Sequence, residues 1–283
     1  MLTALEKANV LTEALPYIQA FAGKTIVIKY GGHAMISPEL EELVLKDVIL
    51  MKLVGMNPVI VHGGGPVINH WLNKVNHEAE FVNGLRVTDQ DTMEIVEMVL
   101  AGKVNKGIVR QINHFGGKAV GLCGIDGGLI MANRKSSELG LVGEVTRINP
   151  GLVQSLAEDG YIPIVAPIGV NEEGETLNIN ADSVAGALGG ALNAHKLVIL
   201  TDVEGIFLGD GEENLASRLT ATEIPQLIDD GIIKGGMIPK VESCLHALSQ
   251  GVENVHIVDG RKPHSMLLEI FTQKGIGTMI VKE

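Results

Sequence analysis

Residues 25–32 read TIVIKYGG, and residues 58–66 read PVIVHGGGP. Each stretch is a short apolar run, rich in β-branched residues, that ends in consecutive glycines. This pattern is typical of a buried strand followed by a tight turn. Helical patterns follow both turns, near residues 38–54 and 66–76. The order of strand, turn and helix predicts an α/β protein with a mostly parallel sheet.

The same alternation continues to the end of the chain. Further strands are predicted at residues 119–122, 162–166, 197–201, 255–258 and 278–281. Further helices are predicted near residues 89–114, 150–159, 181–193, 222–230, 238–250 and 264–272. Residues 128–148 predict a small antiparallel hairpin set, and residues 169–178 and 204–215 are predicted as loops. The pattern as a whole predicts a three-layer αβα sandwich around a mostly parallel central sheet.

Three segments are expected within this architecture. Residues 1–22 carry a helical apolar stripe, and Pro16 is expected to kink or divide that helix. Residues 23–195 and 196–283 are expected to form two lobes that share one sheet, although no flexible linker marks the boundary.

The composition restricts the ligands and the compartment. The 283-residue chain is acidic, with a formal net charge of -12, and only 3% of its residues are aromatic. Such a chain is a poor match for nucleic acid. No apolar run approaches the roughly 20 residues of a membrane span, so no membrane partner is expected. Cys123 and Cys244 lack metal-type spacing, and we expect unpaired thiols in a reducing cytoplasm.

The usual nucleotide fingerprints are missing from the sequence. Gly23-Lys24-Thr25 looks like the end of a P-loop, but Ile18 stands where that pattern needs glycine, and a strand follows instead of a helix. The dinucleotide pattern GxGxxG does not occur. Any phosphate site must therefore be built from other motifs.

Two glycine turns are the first candidates. Lys29, followed by Gly31 and Gly32, places an ammonium and exposed N–H groups at the sheet edge where α/β proteins bind ligands. Residues 63–66 (GGGP) suit the N-terminus of a helix that receives an anion. A solvated lysine and a plain turn are the alternative interpretations. His62 is expected to be structural and not a proton carrier.

Two further motifs are open to two interpretations each. Residues 178–182 (NINAD) could face a ligand, or Asn180 or Asp182 could simply cap the following helix. Residues 235–240 (GGMIPK) predict a second anion site or an ordinary glycine-rich loop. Arg86, within NGLRVT, is by default interpreted as a member of an exposed ion pair.

Taken in order, KYGG at 29–32, HGGGP at 62–66, NGLR at 83–86, NINAD at 178–182 and GMIPK at 236–240 resemble the amino acid kinase family. The resemblance covers essentially the whole chain. HGGGP, NGLRVT and LNINAD resemble in particular the members that phosphorylate N-acetyl-L-glutamate. The resemblance therefore implies the fold of that family and a kinase of arginine biosynthesis. It also implies ATP as the donor, with Mg²⁺ bound through the nucleotide phosphates and no metal site on the protein.

The resemblance implies a role for individual residues. Those at the transferring phosphoryl group would be Lys29, Lys240 and, orienting both lysines, Asp182. Those that hold N-acetyl-L-glutamate would be Gly64, Gly65, Arg86 and Asn178. Those along the nucleotide would be Gly31, Gly32, Thr201, Asp202, Gly205 and Gly236. Those that bind arginine as an inhibitor would be His264, Glu269, Gly275 and Gly277.

The chemistry agrees with this set of residues. A carboxylate acceptor is already ionised at neutral pH, so phosphoryl transfer to it needs no general base. It needs alignment of two anions and neutralisation of their repulsion, which two lysines and an arginine supply.

Two other functions stay open at this point. The acceptor could be another acidic molecule, such as an aminoadipate derivative. The chain could also be a silent ligand-binding regulator, although keeping both Lys29 and Lys240 argues against that. The N-terminal helix resembles that of arginine-inhibited, hexameric members, so a homo-oligomer, either a dimer or a hexamer, is expected. A signalling-protein partner is left undecided.

Overall fold

The computed structural model describes residues 3–31, 35, 37–209, 211 and 214–283. The helices of this part of the chain are α1 (Ala4–Glu13), α2 (Leu15–Phe21), α3 (Pro38–Leu53), α4 (Gly65–Lys74), α5 (Gln90–Glu97), α6 (Asn105–His114), α7 (Gly151–Glu158), α8 (Ala181–Ala191), α9 (Glu223–Asp229), α10 (Met237–Ser249) and α11 (Ser265–Ile270). A π-helix spans Met98–Val104, and a 3₁₀ turn spans Asp126–Gly128.

The strands of the same residues are β1 (Thr25–Tyr30), β2 (Asn57–His62), β3 (Phe81–Val82), β4 (Leu85–Arg86), β5 (Ala119–Cys123), β6 (Ile130–Arg134), β7 (Val142–Ile148), β8 (Ile162–Ala166), β9 (Ile168–Val170), β10 (Thr176–Ile179), β11 (Lys196–Thr201), β12 (Arg218–Thr220), β13 (Asn254–Asp259) and β14 (Thr278–Val281). The strands predicted to carry the sheet are therefore present at the expected places.

The central sheet has β1 in its middle. In the described residues it contains eight strands in the order β12-β14-β13-β11-β1-β2-β8-β5. β1 pairs in parallel with β2 on one side and β11 on the other, and only β14 pairs antiparallel, with β13. The predicted mostly parallel sheet is confirmed. It contains strands from both sides of residue 195, and the division into two lobes at that residue stays a prediction.

Helices form a layer on each face of this sheet. On one face α3 packs against α6 and α11, and on the other α8 packs against α10. Small residues bring α8 close to its neighbours, because a Cβ at Gly186 would lie 3.3 Å from the Cβ of Ala247. A Cβ at Gly189 would similarly approach Val252 on one side and Val27 of β1 on the other. This close packing fixes the start of α8 above the end of β1.

The N-terminal segment is divided into two helices, as Pro16 predicts. α1 begins with a capping box in which Thr3 and Glu6 bond each other's backbone N–H groups, and it ends at Glu13, before Pro16 in the first turn of α2. Leu5 and Leu11 of α1 are 71% and 73% exposed. The apolar stripe of α1 is thus not covered by the described residues of this chain.

Part of the chain departs from the predicted elements. The interpretation of residues 169–178 as a loop is wrong, because β9 and β10 lie there and pair antiparallel. Together with β6 and β7 they close into a small barrel in the order β10-β7-β6-β9. The hairpin of β3 and β4 and the short β12 were not predicted either. The unpredicted strands β3, β4, β9, β10 and β12 are each two to four residues long, and each depends on its partner for stability.

Among the described residues, none of the helices is long and apolar enough to cross a membrane.

Candidate active site

The two glycine turns predicted from the sequence lie side by side. The Gly63 N–H donates a 2.7 Å hydrogen bond to the Tyr30 carbonyl, which joins the end of β2 to the end of β1. The Lys29 ammonium lies against the first turn, because a Cβ at Gly31 would be 3.1 Å from its Nζ. A side chain at residue 31 would therefore push the ammonium away. Gly32, also predicted here, lies outside the described residues.

Asp182 forms an ion pair with Lys29 across the sheet edge. Its Oδ1 is 3.0 Å from Lys29 Nζ, and the two side chains are 16% and 14% exposed. Asn180 caps α8, because its Oδ1 accepts from the N–H groups of Asp182 and Ser183 at 2.8 and 3.2 Å. The capping role therefore belongs to Asn180, and the carboxylate of Asp182 is left to act on the lysine.

Lys240 lies on the helix that packs against α8. It is in the first turns of α10, which begins after Gly236 without a side-chain cap among the described residues. Burial raises the pKa of the Cys244 thiol. The charge of Asp182 raises this pKa further, and the charge of Lys240 lowers it. Asp182 and Lys240 thus both influence one thiol on α10, which packs against α8.

A pocket of about 190 Å³ opens beside the second glycine turn. Its lining comprises Gly63, Gly64, Gly65, Ile68, Phe81, Gly84, Leu85, Arg86, Leu100, Val142, Pro167, Asn178, Ile179, Asn180 and Ala181. Gly64 and Gly65 begin α4, and no described side chain caps that helix. A Cβ at Gly64 would overlap Cδ2 of Leu100, so a side chain there would have to displace Leu100. The pocket therefore combines apolar walls with a helix N-terminus that suits an anion.

Arg86 is the cation of this pocket. It is only 8% exposed, so the alternative of an exposed ion pair is wrong for this residue. Its Nη2 donates to Asn69 Oδ1 at 2.6 Å and to the Gly65 carbonyl at 3.4 Å, and its guanidinium lies 4.7 Å from the centre of the Phe81 ring. Burial lowers the pKa of Arg86. Nη1 is buried and finds no hydrogen-bond partner among the described residues, which suits a ligand carboxylate.

Asn178 is tied to Arg86 through Thr88. Asn178 Nδ2 donates to Thr88 Oγ1 at 3.2 Å, and Thr88 Oγ1 donates to the Arg86 carbonyl at 2.9 Å. Two residues predicted to hold the acceptor, 92 positions apart in the sequence, therefore line one pocket and share one hydrogen-bond chain.

The residues predicted to line the nucleotide lie at the same edge of the sheet, after β11. Thr201 ends that strand opposite Asp259 of β13, and its carbonyl accepts from the Gly260 N–H at 2.8 Å. Thr201 Oγ1 donates to Asp202 Oδ1 at 3.2 Å. Gly205 adopts a φ of 151°, and a side chain there would overlap Thr278 Oγ1. These contacts form a turn beside the carboxyl ends of β11 and β13.

The predicted arginine-binding residues fall into two places. Glu269 is buried; it accepts from the Ile276 and Gly277 N–H groups at 2.7 and 3.0 Å, and its Oε1 is 2.6 Å from His256 Nδ1. Gly275 packs on the same carboxylate, where a Cβ would overlap it. His264 lies instead at the start of α11, with its Nδ1 2.7 Å from Asp47 Oδ1. Glu269, Gly275 and Gly277 thus come together, and His264 lies apart from them.

Several site residues were not predicted individually. Asn69 and Phe81 orient Arg86, and Leu100 packs on Gly64. Thr88, which holds Asn178, lies within the NGLRVT motif but was given no role. Asn83-Gly84 at the tip of the short hairpin is the one usable signal, since this pair favours a tight hairpin turn. The other contacts depend on elements far apart in the chain.

A search for metal-ligand clusters within the described ranges found no three His, Cys, Asp or Glu side chains placed to hold an ion.

The sequence pattern of the amino acid kinase family matches residues 24–259. Over 296 residues the chain is 59% identical to the acetylglutamate kinase of Heliobacterium modesticaldum, and all of both proteins is covered. It is 53% identical to the acetylglutamate kinase of Methanocaldococcus jannaschii, and the alignment covers 100% of this chain and 99% of that protein.

Solved structures with the same fold include two enzymes. The N-acetylglutamate synthase of Neisseria gonorrhoeae, complexed with coenzyme A and N-acetyl-glutamate, superposes with a TM-score of 0.84 at 26% identity. The match covers 98% of this chain and 63% of the synthase, so the chain spans less than two thirds of that protein. The carbamate kinase of Giardia lamblia bound to AMP-PNP has a TM-score of 0.68 at 19% identity, covering 93% and 99% of the two chains.

Proposed function

Because this chain belongs to the amino acid kinase family, we propose that it transfers the γ-phosphoryl group of ATP to the side-chain carboxylate of N-acetyl-L-glutamate. The product is N-acetyl-L-glutamyl 5-phosphate, an intermediate of arginine biosynthesis. The observation that carries the proposal is the pocket between the second glycine turn and Arg86. It lies next to the turn that holds Lys29, and it contains a buried guanidinium nitrogen for which the described part of the chain offers no partner.

The charges at the sheet edge suit this reaction. Donor and acceptor are both anions, and the acceptor oxygen is nucleophilic without loss of a proton. Lys29 supplies a positive charge where the phosphoryl group would pass, and Asp182 holds that ammonium in place at 3.0 Å. Lys240, on α10, would add a second positive charge there. The protein's part is therefore alignment and charge neutralisation, with no general base.

The pocket suits N-acetyl-L-glutamate in size and polarity. The Arg86 fork would bind the α-carboxylate, and the N–H groups of Gly64 and Gly65 would receive the reacting carboxylate. Asn178 offers an amide for the acetamido group. Leu100, Val142 and Ile179 supply apolar walls that exclude water from the site.

ATP would lie along the turns at Gly31, Thr201, Asp202, Gly205 and Gly236. The carbamate kinase with this fold was solved with AMP-PNP, which supports a nucleotide on this scaffold. Mg²⁺, when bound, would bridge the nucleotide phosphates and add positive charge there, held by phosphate oxygens and water. A cytoplasmic location belongs to the same proposal and is supported by the free thiols of Cys123 and Cys244.

The decisive experiment is acyl-phosphate formation trapped with hydroxylamine. The protein is incubated with ATP, Mg²⁺ and one acceptor at a time: N-acetyl-L-glutamate, glutamate, aspartate, carbamate or N-acetyl-aminoadipate. We expect activity with N-acetyl-L-glutamate at least about 100-fold above the other acceptors, since a site that pairs polar groups of its substrate rejects analogues that leave them unpaired.

The same assay separates the remaining alternatives. Activity with only N-acetyl-aminoadipate would keep the chemistry and change the acceptor. Folded protein that binds ATP but phosphorylates none of the five acceptors would overturn the proposal in favour of a silent regulator.

We further propose that arginine inhibits the enzyme through the segment around Glu269 and that the chain forms a homo-oligomer through α1. The buried Glu269 carboxylate, beside the turn at Gly275, is suited to a guanidinium. The N-terminal helices are in contact with this segment, because the Tyr17 ring lies 6.4 Å from the Phe271 ring. The exposed stripe of α1 supports burial against another subunit. The next helix, α2, carries Tyr17 and would link assembly to inhibition.

Two changes should weaken arginine inhibition. Glu269→Gln keeps the acceptors for the backbone N–H groups but removes the charge, and deletion of residues 1–22 removes the helix in contact with the segment. We expect each to raise the arginine concentration for half inhibition by about tenfold or more, because loss of one partner of a buried charge pair costs about 2 kcal/mol or more. Rates are normalised to each variant's own uninhibited rate.

Glu42→Gln is the control, since Glu42 is half exposed and pairs with Lys46 on the surface of α3. Unchanged arginine inhibition in both the Glu269 variant and the truncated chain would contradict the proposal. Mass photometry of the truncated chain tests the oligomer, which should dissociate to a smaller species.

A further inference from the structure

A buried asparagine connects the π-helix to the floor of the acceptor pocket. Asn105 follows the π-helix directly, and its N–H donates to the Leu100 carbonyl, five residues back. A π-turn places residues five apart on the same face of the helix. Leu100 packs on Gly64 in the pocket, and Asn105 is fully buried beneath the turn. In an α-helix these two side chains would point in different directions.

The Asn105 amide is held in one orientation by strands β5 and β8. Its Nδ2 donates to the Ile164 carbonyl at 2.9 Å and to the Leu122 carbonyl at 3.2 Å, and it lies 3.3 Å from His62 Nε2. Only the NH₂ group can satisfy two carbonyls, so the amide cannot be flipped. Gly121 of β5 makes room for it, because a Cβ there would overlap Asn105 Oδ1.

The hydrogen bonds of His62 assign its tautomer. Nδ1 lies 2.8 Å from the Gly63 carbonyl, which can only accept, so Nδ1 carries the proton. Nε2 is then an acceptor and faces the Asn105 NH₂ group, whose two hydrogens it shares with the Leu122 and Ile164 carbonyls. Burial lowers the pKa of His62 to about 4, so the ring is neutral in the cell. Both partners of His62 therefore require the same neutral tautomer.

The result is a glycine residue held from both sides. The Gly63 carbonyl is bound by His62, and the Gly63 N–H is bound by the Tyr30 carbonyl at 2.7 Å. Gly63 precedes Gly64 and Gly65, the start of α4 and part of the pocket lining. Three consecutive glycines have no conformational preference that would set the direction of these N–H groups.

We propose that Asn105 and His62 are a positioning pair that sets the orientation of the Gly63–Gly65 turn toward the acceptor carboxylate. The role as stated rests on the proposed function. Neither residue touches the substrate; Asn105 orients His62, His62 orients the Gly63 peptide, and the peptide presents the next two N–H groups. The π-turn is what allows one helix to supply both Leu100, which packs on the turn, and Asn105, which supports it from below.

The test separates the two hydrogen bonds of His62. His62→Asn places an amide NH₂ where Nδ1 stands and keeps the bond to the Gly63 carbonyl, whereas His62→Gln and His62→Ala lose it. We expect kcat/KM for N-acetyl-L-glutamate to fall about 100-fold in His62→Ala and His62→Gln, because misplacement of a binding group by about 1 Å costs about that much. It should fall only about tenfold in His62→Asn, which keeps the bond to the Gly63 carbonyl but loses the contact of Nε2 with Asn105. KM for ATP should change less than about threefold in all three.

Asn105→Leu removes the donor at similar size and should lower kcat/KM about tenfold, with the effect again confined to the acceptor. Asn113→Leu is the matched control: Asn113 also lies on α6 and binds the backbone of β5, through Oδ1 and the Ala119 N–H at 2.8 Å, but at the far end of that helix. A merely structural role predicts that Asn105→Leu and Asn113→Leu both lower thermal stability and leave kcat/KM unchanged. That outcome, or equal losses in His62→Asn and His62→Ala, would overturn the proposal.

The tautomer of His62 can be measured without any catalytic reaction, so this test does not depend on the proposed substrate. In ¹⁵N NMR of the wild-type protein, His62 should show a protonated Nδ1 and an unprotonated Nε2 from pH 5 to 8, and Asn105→Leu should shift the Nε2 resonance. The opposite tautomer would overturn the pair whatever the substrate. Wild-type protein with the expected His62 spectrum and no activity on N-acetyl-L-glutamate would overturn the proposed function alone.

Discussion

Replacing Lys29 by methionine lowers kcat for acyl-phosphate formation by about 1,000-fold, the loss typical of removing one preorganised group that stabilises transition-state charge. Methionine has nearly the length of lysine without its charge, so the turn at Gly31 keeps a side chain packed against it. KM for N-acetyl-L-glutamate should change less than about threefold, because the acceptor pocket is built from other residues. Single-turnover rates with both substrates saturating measure the effect.

The ion pair with Asp182 makes a second variant informative. If Asp182 acts by holding the ammonium 3.0 Å away, Asp182→Asn should lower kcat on its own but cause little further loss in the Lys29→Met background. Lys46→Met is the matched control, since Lys46 is also paired with a carboxylate but is half exposed on α3. If folded Lys29→Met kept a kcat within tenfold of wild type, the catalytic role of Lys29 would be contradicted.

Replacing Arg86 by glutamine raises KM for N-acetyl-L-glutamate by about 100-fold, since truncating one partner of a buried, hydrogen-bonded charge pair costs about 2–5 kcal/mol. Asn69, the Gly65 carbonyl and the Phe81 ring hold the guanidinium in place and leave Nη1 for the ligand. Arg86→Lys keeps the charge but not the planar fork, so an intermediate rise of about tenfold is expected.

Initial rates over a range of acceptor concentrations, at saturating ATP, measure this effect. Arg134→Gln is the control, because Arg134 also pairs with a side chain, Glu175, but lies exposed on the small barrel. If KM for ATP rose and KM for N-acetyl-L-glutamate did not, Arg86 would bind the nucleotide and not the acceptor.

The order of motifs was sufficient to predict which residue types meet at the site. Lys29, Asp182 and the glycine turns were all predicted, since each lies at the end of a predicted strand or the start of a predicted helix. Parallel strands end at one edge of a sheet, so residues at their carboxyl ends converge even when they are far apart in the chain.

Other parts of the site depend on contacts that no local pattern encodes. Phe81 and Asn69 gain a role only because a two-residue hairpin and α4 meet at Arg86. Asn105 appears in the sequence as one polar residue in a long helical stretch, and the π-turn that directs it into the core has no local signature. The barrel strands β9 and β10 were likewise predicted as a loop, because their pairing partners and not their own residues stabilise them.

The sequence by itself determined the sheet, its mostly parallel order, the helix boundaries near glycine and proline, and the set of charged residues at the sheet edge. These features follow from the period of apolar residues and from backbone preferences, which act over a few neighbouring residues. Only the tertiary structure decided that Asn180 and not Asp182 caps α8, that Arg86 is buried, and that Asn105 and His62 support the glycine turn. Each of these depends on which distant side chain fills the remaining space and satisfies a buried polar group, and that is known only when the whole core is packed.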